Sequence, residues 1–472
     1  MKNVHIKELF RSLSKNEIKD FSKFVRSPYF NNRSEVIRYF DAVKKYYPEF
    51  NSKNFTEENI FKLVYPGKKF SGVLMRKLFS LTSNLLMDYL SISGYQESKL
   101  DFNVKLMEKL YTKKLLKVFE KKKRIVDEQF GKSERSFPYY EAKYKYTTIV
   151  NGFLINVNER SMLSMLQNEI DDFIEHFLSV ALLLYIRLGE WERGFNNKYD
   201  LKFYDDVMKY LAANKSKEVT LSTLYFNMLK MLETGDEKYF FELQNSREKF
   251  VNKLSKADDY NIGVVSIQYC YKKIQKGQKE FRRHQFDITK NILTKDLLPE
   301  GFMEPYFFTN AVRNAVSINE LNWSEKFIKA YKGRLNIDIQ EEITDYSSAM
   351  LEFARKDFVK SIRNLSRINL ERSNMKLEIK NLLLMNYYEL GYTEEIISLI
   401  DTYKHFLQRE NKLSEQFRNA NSLFLSLVTE LVKVSDKKEK RSVMELQKKI
   451  EDTPFFSLKD WLLSKTNDLL KS

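Results

Sequence analysis

Apolar residues along this chain recur at intervals of three and four positions over most of its length, which places them on one face of an α-helix. Residues that interrupt helices are rare: the 472 residues include 13 glycines and 7 prolines, and no proline lies between Pro138 and Pro299. A long segment with helical spacing and few breakers is typical of one helix following another. The pattern therefore predicts an all-α protein.

Short corners of one design divide the chain after residue 180. At each corner one helix is expected to end, often at a Gly or Asn that accepts a left-handed conformation, and an aromatic residue opens the next helix. The predicted corners are Leu188–Trp191, Gly235–Tyr239, Gly277–Phe281, Leu321–Trp323, Lys356–Phe358 and Leu390–Tyr392. In five of the six, an apolar residue follows the aromatic one by four positions, on the same helix face. These partners are Phe195, Leu243, Phe327, Ile362 and Ile396.

The last corner aromatics, Trp323, Phe358 and Tyr392, lie 35 and 34 residues apart, a period typical of stacked helix pairs. Over about residues 306–408, and best in Ser347–Phe358 and Leu382–Glu395, the order of apolar helix, tyrosine, small-residue corner and second helix resembles tetratricopeptide-repeat proteins. The resemblance implies an irregular α-solenoid of antiparallel helix pairs whose concave side binds a peptide or another protein. It assigns no individual binding residue, because the binding positions of that family vary with the partner.

The N-terminal residues differ from the rest, since three of the seven prolines fall within the first seventy positions. Ser14 and Glu17 have the spacing of a capping box, and the helix that they open is expected to end at Ser27, before Pro28. We expect a small N-terminal helical domain at 1–95. A basic connecting helix or helix pair at 96–137, with Gly131 as its stop, and a helical repeat domain at 138–472 with a C-terminal cap complete the predicted organisation.

The string Arg26–Asn32 contains two adjacent aromatic residues, Tyr29 and Phe30, directly after a proline. One interpretation is an exposed docking corner for a partner, because aromatic residues dominate binding surfaces. The other is that both rings fill the local core while the asparagines cap the turn. The sequence leaves both interpretations open.

Charge adds a second candidate surface. The chain has 80 basic and 64 acidic residues and a formal net charge of +16, which makes nucleic acid, anionic lipid or an acidic protein the natural partner classes. Aromatic residues surround part of the basic set, as in sites that hold phosphates and stack bases. In the competing interpretation those aromatic residues belong to the repeat core and the charges line its outer face. The candidate basic residues are Lys121, Lys122, Lys123, Arg124, Lys272, Lys273, Arg282 and Arg283.

No local motif points to chemistry. The four histidines are scattered without metal-ligand spacing, and adjacent carboxylate pairs diverge by about 100° on a helix, so they do not face one substrate together. We therefore assign no catalytic, cofactor-binding or metal-binding residue and expect a protein that is not an enzyme. The single cysteine, Cys270, is expected to be a buried thiol in a reducing compartment.

The longest apolar run, Phe177–Ile186, is much shorter than a membrane span, and the N-terminus has no apolar signal segment. We expect a cytoplasmic protein. Its predicted function is non-catalytic binding or scaffolding through a helical-repeat surface, with another protein or peptide as the partner. The alternative is a nucleic-acid-binding or regulatory protein that uses its basic surface, and an enzyme site assembled only in three dimensions stays open.

Overall fold

The computed structural model describes residues 4–155, 159–195, 198–214, 219–250, 253–370, 373, 375–409, 415–437, 439–454, 456 and 458–471. Every regular element among these residues is helical, so the predicted fold class is confirmed. The chain forms two compact units. The first unit comprises Met1–Ser133 with Phe137–His176, and the second comprises Glu134–Ser136 with Phe177–Ser472.

Eight of the helices in the described part of the chain lie entirely within the first unit. They are α1 Val4–Arg11, α2 Lys15–Arg26, α3 Ser34–Lys44, α4 Glu57–Val64, α5 Gly72–Glu97, α6 Lys99–Thr112, α7 Leu116–Lys132 and α8 Phe137–Ile155. A ninth helix, α9 Glu159–Phe195, begins in this unit and continues into the second. Three fully buried rings, Phe10, Phe21 and Phe40, meet in the core beneath α1, α2 and α3. The boundary predicted between residues 95 and 96 lies inside α5.

The start and end of α2 follow the local signals in the sequence. The backbone N–H of Glu17 donates to Ser14 Oγ at 3.2 Å, and the backbone N–H of Ser14 donates to Glu17 Oε2 at 2.6 Å, which confirms the capping box. The helix ends at Arg26 with Ser27 as its extended cap, as expected for a residue that precedes proline. The pKa of Glu17 lies below its ordinary value because of the hydrogen bond with Ser14.

The basic segment after α5 forms a helix pair, α6 and α7. Its corner is at Lys113–Leu115, where Lys114 has a φ of +58° and the N–H of Leu115 donates to the carbonyl of Leu110 at 2.9 Å. The sequence did not predict this corner, because a left-handed conformation is unfavourable for lysine and gives no compositional signal. The predicted stop at Gly131 is wrong, since α7 continues through Gly131 to Lys132 and Ser133 is its cap.

The second unit contains the remaining helices. They are α10 Tyr204–Ala213, α11 Leu221–Thr234, α12 Glu237–Phe250, α13 Lys256–Gln275, α14 Phe281–Thr294, α15 Pro305–Ser317, α16 Leu321–Tyr331, α17 Ile337–Ala354, α18 Phe358–Leu365, α19 Lys376–Leu390, α20 Thr393–Arg409, α21 Glu415–Lys437, α22 Lys440–Asp452 and α23 Lys459–Lys471, with a 3₁₀ turn at Lys332–Arg334. From α11 to α22 they pack as consecutive pairs, and each pair also contacts the next. This arrangement is that of a helical solenoid, in which a pair buries its apolar face by stacking on its neighbours.

Four of the six predicted corners are confirmed. Gly235, Gly277 and Gly391 have φ values of +67°, +90° and +71°, as left-handed helix ends require, and Lys356 has a φ of +63° just before α18. The side chain of Asp357 then accepts a hydrogen bond from the N–H of Lys360 at 3.0 Å and caps α18. These corners place the start of each second helix close to the predicted position.

The other two corners are wrong in different ways. At Leu188–Trp191 the chain does not turn, because α9 continues to Phe195; Gly189 inside a long helix costs only about 1 kcal/mol. The side chains of Trp191 and Phe195 lie outside the described residues. At Leu321–Trp323 the turn comes earlier, with Asn319 as the left-handed residue, so Trp323 lies inside α16 rather than at its start.

Trp323 still contributes the predicted contact four positions along its helix. Its ring stacks on Phe327 with centroids 5.0 Å apart and meets Phe286 of the preceding pair edge-on at 4.9 Å. Aromatic contacts of this kind stabilise packing beyond the apolar area that they bury. The recurring aromatic residue here therefore joins two helix pairs.

Candidate interaction surfaces

The predicted docking corner follows α2 in the first unit. Tyr29 is 87% exposed, whereas Phe30 is 38% exposed and stacks on Phe24 with ring centroids 4.0 Å apart. The Tyr29 ring meets Phe30 edge-on at 4.9 Å. Only one of the two rings is therefore anchored to the unit, and Tyr29 is the residue that a partner would meet.

Asn31 holds this corner in place. Its side chain is buried; Nδ2 donates to the carbonyl of Val25 at 2.8 Å, and Oδ1 accepts from the N–H of Arg33 at 3.0 Å. These bonds tie the end of α2 to the start of α3 and satisfy the polar atoms of the turn. The expected turn-capping role of asparagine is confirmed at this position, and the docking role of Tyr29 stays a prediction.

The candidate basic residues divide between the two units. The four from Lys121 to Arg124 lie on α7 in the first unit, and the other four lie at the end of α13 and the start of α14 in the second. Each group is therefore a separate feature of its own unit. Their electrostatic surroundings also differ.

The basic residues from Lys113 to Arg124, at the α6–α7 corner and in the first half of α7, retain most of their charge uncompensated. Between Lys113 and Arg124 the sequence has seven basic residues and one acidic residue, Glu120. Within the described part of the chain, Lys123 is the one member of this set that pairs with a carboxylate, at 2.7 Å from Asp127. An ion pair of this exposed kind contributes little stability, so the surface stays strongly positive.

The basic residues at the α13–α14 corner are largely paired. Lys273 lies 3.0 Å from Glu237, and Arg283 lies 3.0 Å from Glu320. Arg282 donates to Asp460 at 2.6 Å. An anionic ligand at this corner would have to displace these carboxylates.

Asp460 comes from α23, near the end of the chain, and it also lies 2.9 Å from Lys279. Burial acts to raise the pKa of Asp460, but the hydrogen bonds with Lys279 and Arg282 outweigh it and hold that pKa below its ordinary value. The carboxylate therefore stays charged and fills the centre of this corner. The second basic cluster already has an internal anionic partner.

The aromatic residues around the α13–α14 corner divide between core and surface. Tyr269, Phe281 and Phe286 are each at most 3% exposed, whereas Tyr271 is 46% exposed. The Lys273 ammonium lies 5.5 Å from the centroid of the Tyr269 ring, a cation–π contact within the unit. For three of the four residues the interpretation as repeat core is confirmed, so a base-stacking platform at this corner would have Tyr271 alone.

A polar row crosses the first helices of four successive pairs in the second unit. Arg313 on α15 interacts electrostatically with Tyr346 on α17, Glu378 on α19 and Tyr271 on α13, and its Nη1 donates to Asn310 Oδ1 at 2.6 Å. Burial raises the pKa of the Tyr346 hydroxyl, and the charge of Arg313 acts in the opposite direction. Polar residues on three other helices thus lie within electrostatic range of the Arg313 guanidinium.

The row continues through amide and hydroxyl groups. Asn381 on α19 donates from Nδ2 to Asn421 Oδ1 on α21 at 2.9 Å, and the hydroxyl of Tyr403 donates to the same oxygen at 2.8 Å. Sequence reasoning missed this row because its members are tens of residues apart and share no local motif. Aligning them would require an accurate repeat period, but the corner aromatics before Trp323 are separated by unequal steps of 48, 42 and 42 residues.

Cys270 is fully buried, and burial raises the pKa of its thiol to about 12, so the expected buried thiol is confirmed. In the part of the chain that the structure describes, no group of three or more His, Cys, Asp and Glu side chains is arranged to hold a metal ion. None of the described helices combines the length and the apolar character needed to cross a membrane.

A scan against protein-family models, a search of curated proteins and a search of solved structures each found no match for this chain. The tetratricopeptide-like resemblance therefore rests on the residue pattern around 306–408.

Proposed function

We propose that this protein is a non-catalytic binding or scaffold protein that holds an extended segment of another protein against the helix pairs of its second unit. The observation that supports this function best is the polar row along the first helices of successive pairs, from exposed Tyr271 on α13 to the hydrogen bond between Asn381 on α19 and Asn421 on α21. A stack of similar helices repeats its surface at regular intervals and suits a ligand with an extended shape.

The composition of the row also favours a protein ligand. Arginine and tyrosine are enriched among the residues that dominate binding energy at protein interfaces. Tyr271 is 46% exposed and thus accessible, and Arg313 is held in one orientation by Asn310. A side chain fixed before binding loses less conformational freedom when the partner arrives.

Nucleic-acid binding at the α13–α14 corner is disfavoured by its ion pairs. Phosphate binding gains its affinity from cations that replace the counterions of the nucleic acid. Lys273, Arg282 and Arg283 each have a carboxylate within 3.0 Å, so most of that gain would be offset by breaking internal pairs. The protein ligand is therefore the better assignment for the second unit.

Affinity capture with the full-length protein tests the proposal. We expect wild-type protein to capture a defined set of proteins from its native lysate that survives nuclease treatment. Combining Tyr271→Ala with Arg313→Ala should lower recovery of that set at least about tenfold, because hot-spot truncations cost about 2 kcal/mol or more. Quantitative mass spectrometry measures the recovery.

Arg363→Ala is the matched control. Arg363 is exposed on α18, a second helix of a pair, so its truncation removes a charge without changing the row. Tyr271→Ala alone is also measured, because this exposed residue is not needed for folding. Equal recovery by all variants would show that the row is not the binding surface, and loss of the set after nuclease treatment would move the function to nucleic acid.

A further inference from the structure

We infer that the corner between α6 and α7 docks onto the surface of an anionic lipid bilayer. This corner, here called the basic tip, consists of Lys113–Val118 with Lys121, Lys122 and Arg124. It belongs to the first unit and is independent of the protein-binding row in the second. Its aliphatic side chains enter the headgroup region, and its cations lie against the lipid phosphates and carboxylates.

The first observation is exposure. All residues from Thr112 to Val118 are exposed, a run of seven that includes three aliphatic side chains. Leu115 is 46% exposed, Leu116 is 39% exposed and Val118 is 52% exposed. Single exposed apolar residues are ordinary, but several at one corner are typical of an interaction surface.

The second observation is unpaired positive charge around those aliphatic side chains. Among the described residues, no carboxylate forms an ion pair with Lys113, Lys114, Lys117 or Lys121. Glu120 is the only acidic residue from position 113 to position 124, against seven basic residues. The basic tip thus differs from the α13–α14 corner, where internal carboxylates cover the cations.

Exposed aliphatic residues and lysines also lie together on one face of α7. Val118 and Ile125, each 52% exposed, are seven residues apart and so lie on one face, with Lys121 and Lys122 between them. The opposite face is anchored: Phe119 is fully buried and stacks on Phe153 with ring centroids 4.3 Å apart. An exposed face that mixes lysine with aliphatic residues is the pattern of helices that bind membrane surfaces.

The pair of α6 and α7 that carries the basic tip is also attached to α8 through α6. The hydroxyl of Tyr111 donates to the carbonyl of Gly152 at 2.9 Å, one residue before Phe153. The basic tip therefore projects from an ordered support rather than from a loose segment. An ordered tip presents its charges together and loses little conformational freedom on binding.

The residue types decide between a bilayer and the other anionic partners. Single-stranded nucleic acid would need exposed aromatic rings for stacking, and residues 112–118 contain none. Protein interfaces are depleted in lysine and enriched in aromatic residues and arginine, whereas this tip has six lysines and one arginine from 113 to 124. Lysine with leucine and valine fits a charged surface that also accepts apolar side chains.

Sedimentation of the full-length protein with vesicles tests the inference. The vesicles contain phosphatidylcholine alone, or phosphatidylcholine with about one third phosphatidylserine, at about 0.1 M salt, where the Debye length is about 10 Å. We expect binding to the anionic vesicles and at least about tenfold weaker binding to the neutral ones. Each lysine near an anionic surface contributes about a fivefold gain in partitioning.

Two variants of the basic tip separate its two components. Replacing Lys113, Lys114, Lys117 and Lys121 together with Gln should lower partitioning at least about fiftyfold. Replacing Leu115, Leu116 and Val118 together with Ser should lower it at least about tenfold, because the insertion of apolar area is lost. All seven side chains are exposed, so circular dichroism should show unchanged folding.

A dispersed charge variant is the matched control. Replacing four exposed lysines of the second unit with Gln lowers the net charge of +16 by the same four charges. These control positions are Lys209, Lys290, Lys404 and Lys448. We expect less than a threefold change in partitioning, since these lysines are dispersed over four separate helices, α10, α14, α20 and α22.

Three results would overturn the inference. The first is absence of wild-type binding to the anionic vesicles. The second is an equal loss in the dispersed variant and the lysine variant, which would reduce the effect to net charge. The third is a serine variant that binds vesicles like wild type while the lysine variant loses both vesicles and duplex DNA, which would identify a general polyanion site.

Discussion

Arg247 and Asp259 form an ion pair in the interior of the second unit, each with 5% of its side chain exposed. Besides the contact between the charged groups, Arg247 Nη2 donates to the backbone carbonyl of Asp259 at 3.1 Å. Lys295 lies 3.5 Å from the second carboxylate oxygen. At the scale of single residues, this one carboxylate on α13 joins Arg247 of α12 to Lys295, the residue directly after α14.

Replacing Asp259 with Asn should lower the free energy of unfolding by about 3–5 kcal/mol, because the Arg247 guanidinium would stay buried without its counter-charge. Urea denaturation of the full-length protein measures this loss. Asp401→Asn is the control, since Asp401 has 74% of its side chain exposed and should change stability by about 0.5 kcal/mol or less. Similar small effects for both variants would contradict the structural role of the pair.

At the scale of helices, the ends are decided by a few backbone conformations. Gly391 ends α19 with a φ of +71°, and its N–H donates to the carbonyl of Tyr388 at 3.1 Å. Gly94 has no such role: it lies inside α5, and a Cβ built there meets nothing within 4 Å. One glycine therefore ends its helix through a left-handed conformation, whereas the other lies within a helix and has no such role.

Substitution by alanine should separate them. Gly391→Ala is expected to destabilise the protein by about 1–2 kcal/mol, because alanine is strained at positive φ. Gly94→Ala is expected to stabilise it by about 0.5–1 kcal/mol, because alanine has the higher helix propensity. Thermal and urea unfolding of both variants measure the signs, and a stabilising Gly391→Ala would refute the left-handed helix end.

At the scale of the second unit, the last helix returns to an earlier part of the chain. Asp460 at the start of α23 pairs with Lys279 and Arg282, and Lys465 lies 3.0 Å from Glu389 on α19. Trp461 adds a hydrogen bond from Nε1 to Glu389 at 2.9 Å. The final helix is therefore attached by polar contacts to two separate helix pairs.

Asp460→Asn should weaken that attachment. We expect amide hydrogen exchange in α23 to accelerate about fivefold, since the lost pair is partly exposed and contributes about 1 kcal/mol. Hydrogen exchange with mass spectrometry measures the change. Asp468→Asn removes an exposed pair from the same helix and should change exchange less than about twofold. Unchanged exchange in the Asp460 variant would show that α23 is held by its apolar contacts alone.

The sequence by itself determined the all-α class, the capping box at Ser14 and Glu17, and the corners at Gly235 and Gly391. These features depend on helical periodicity and on φ preferences, which act over a few residues and are therefore visible in the local pattern. The predicted corner at Gly189 is wrong because a glycine inside a helix lowers its stability only slightly, so α9 continues through it. The corner at Lys114 was missed because a lysine there adopts the left-handed conformation that glycine usually adopts.

Only the tertiary structure decided which candidate surfaces are available. Arg282 and Asp460 are 178 residues apart, so no local pattern indicates that one neutralises the other. The row around Arg313 likewise depends on the stacking of separate helices. The sequence shows which residues are charged. The electrostatic effect of each charge depends on its distance from other charges and on its burial, and both are set by helix packing.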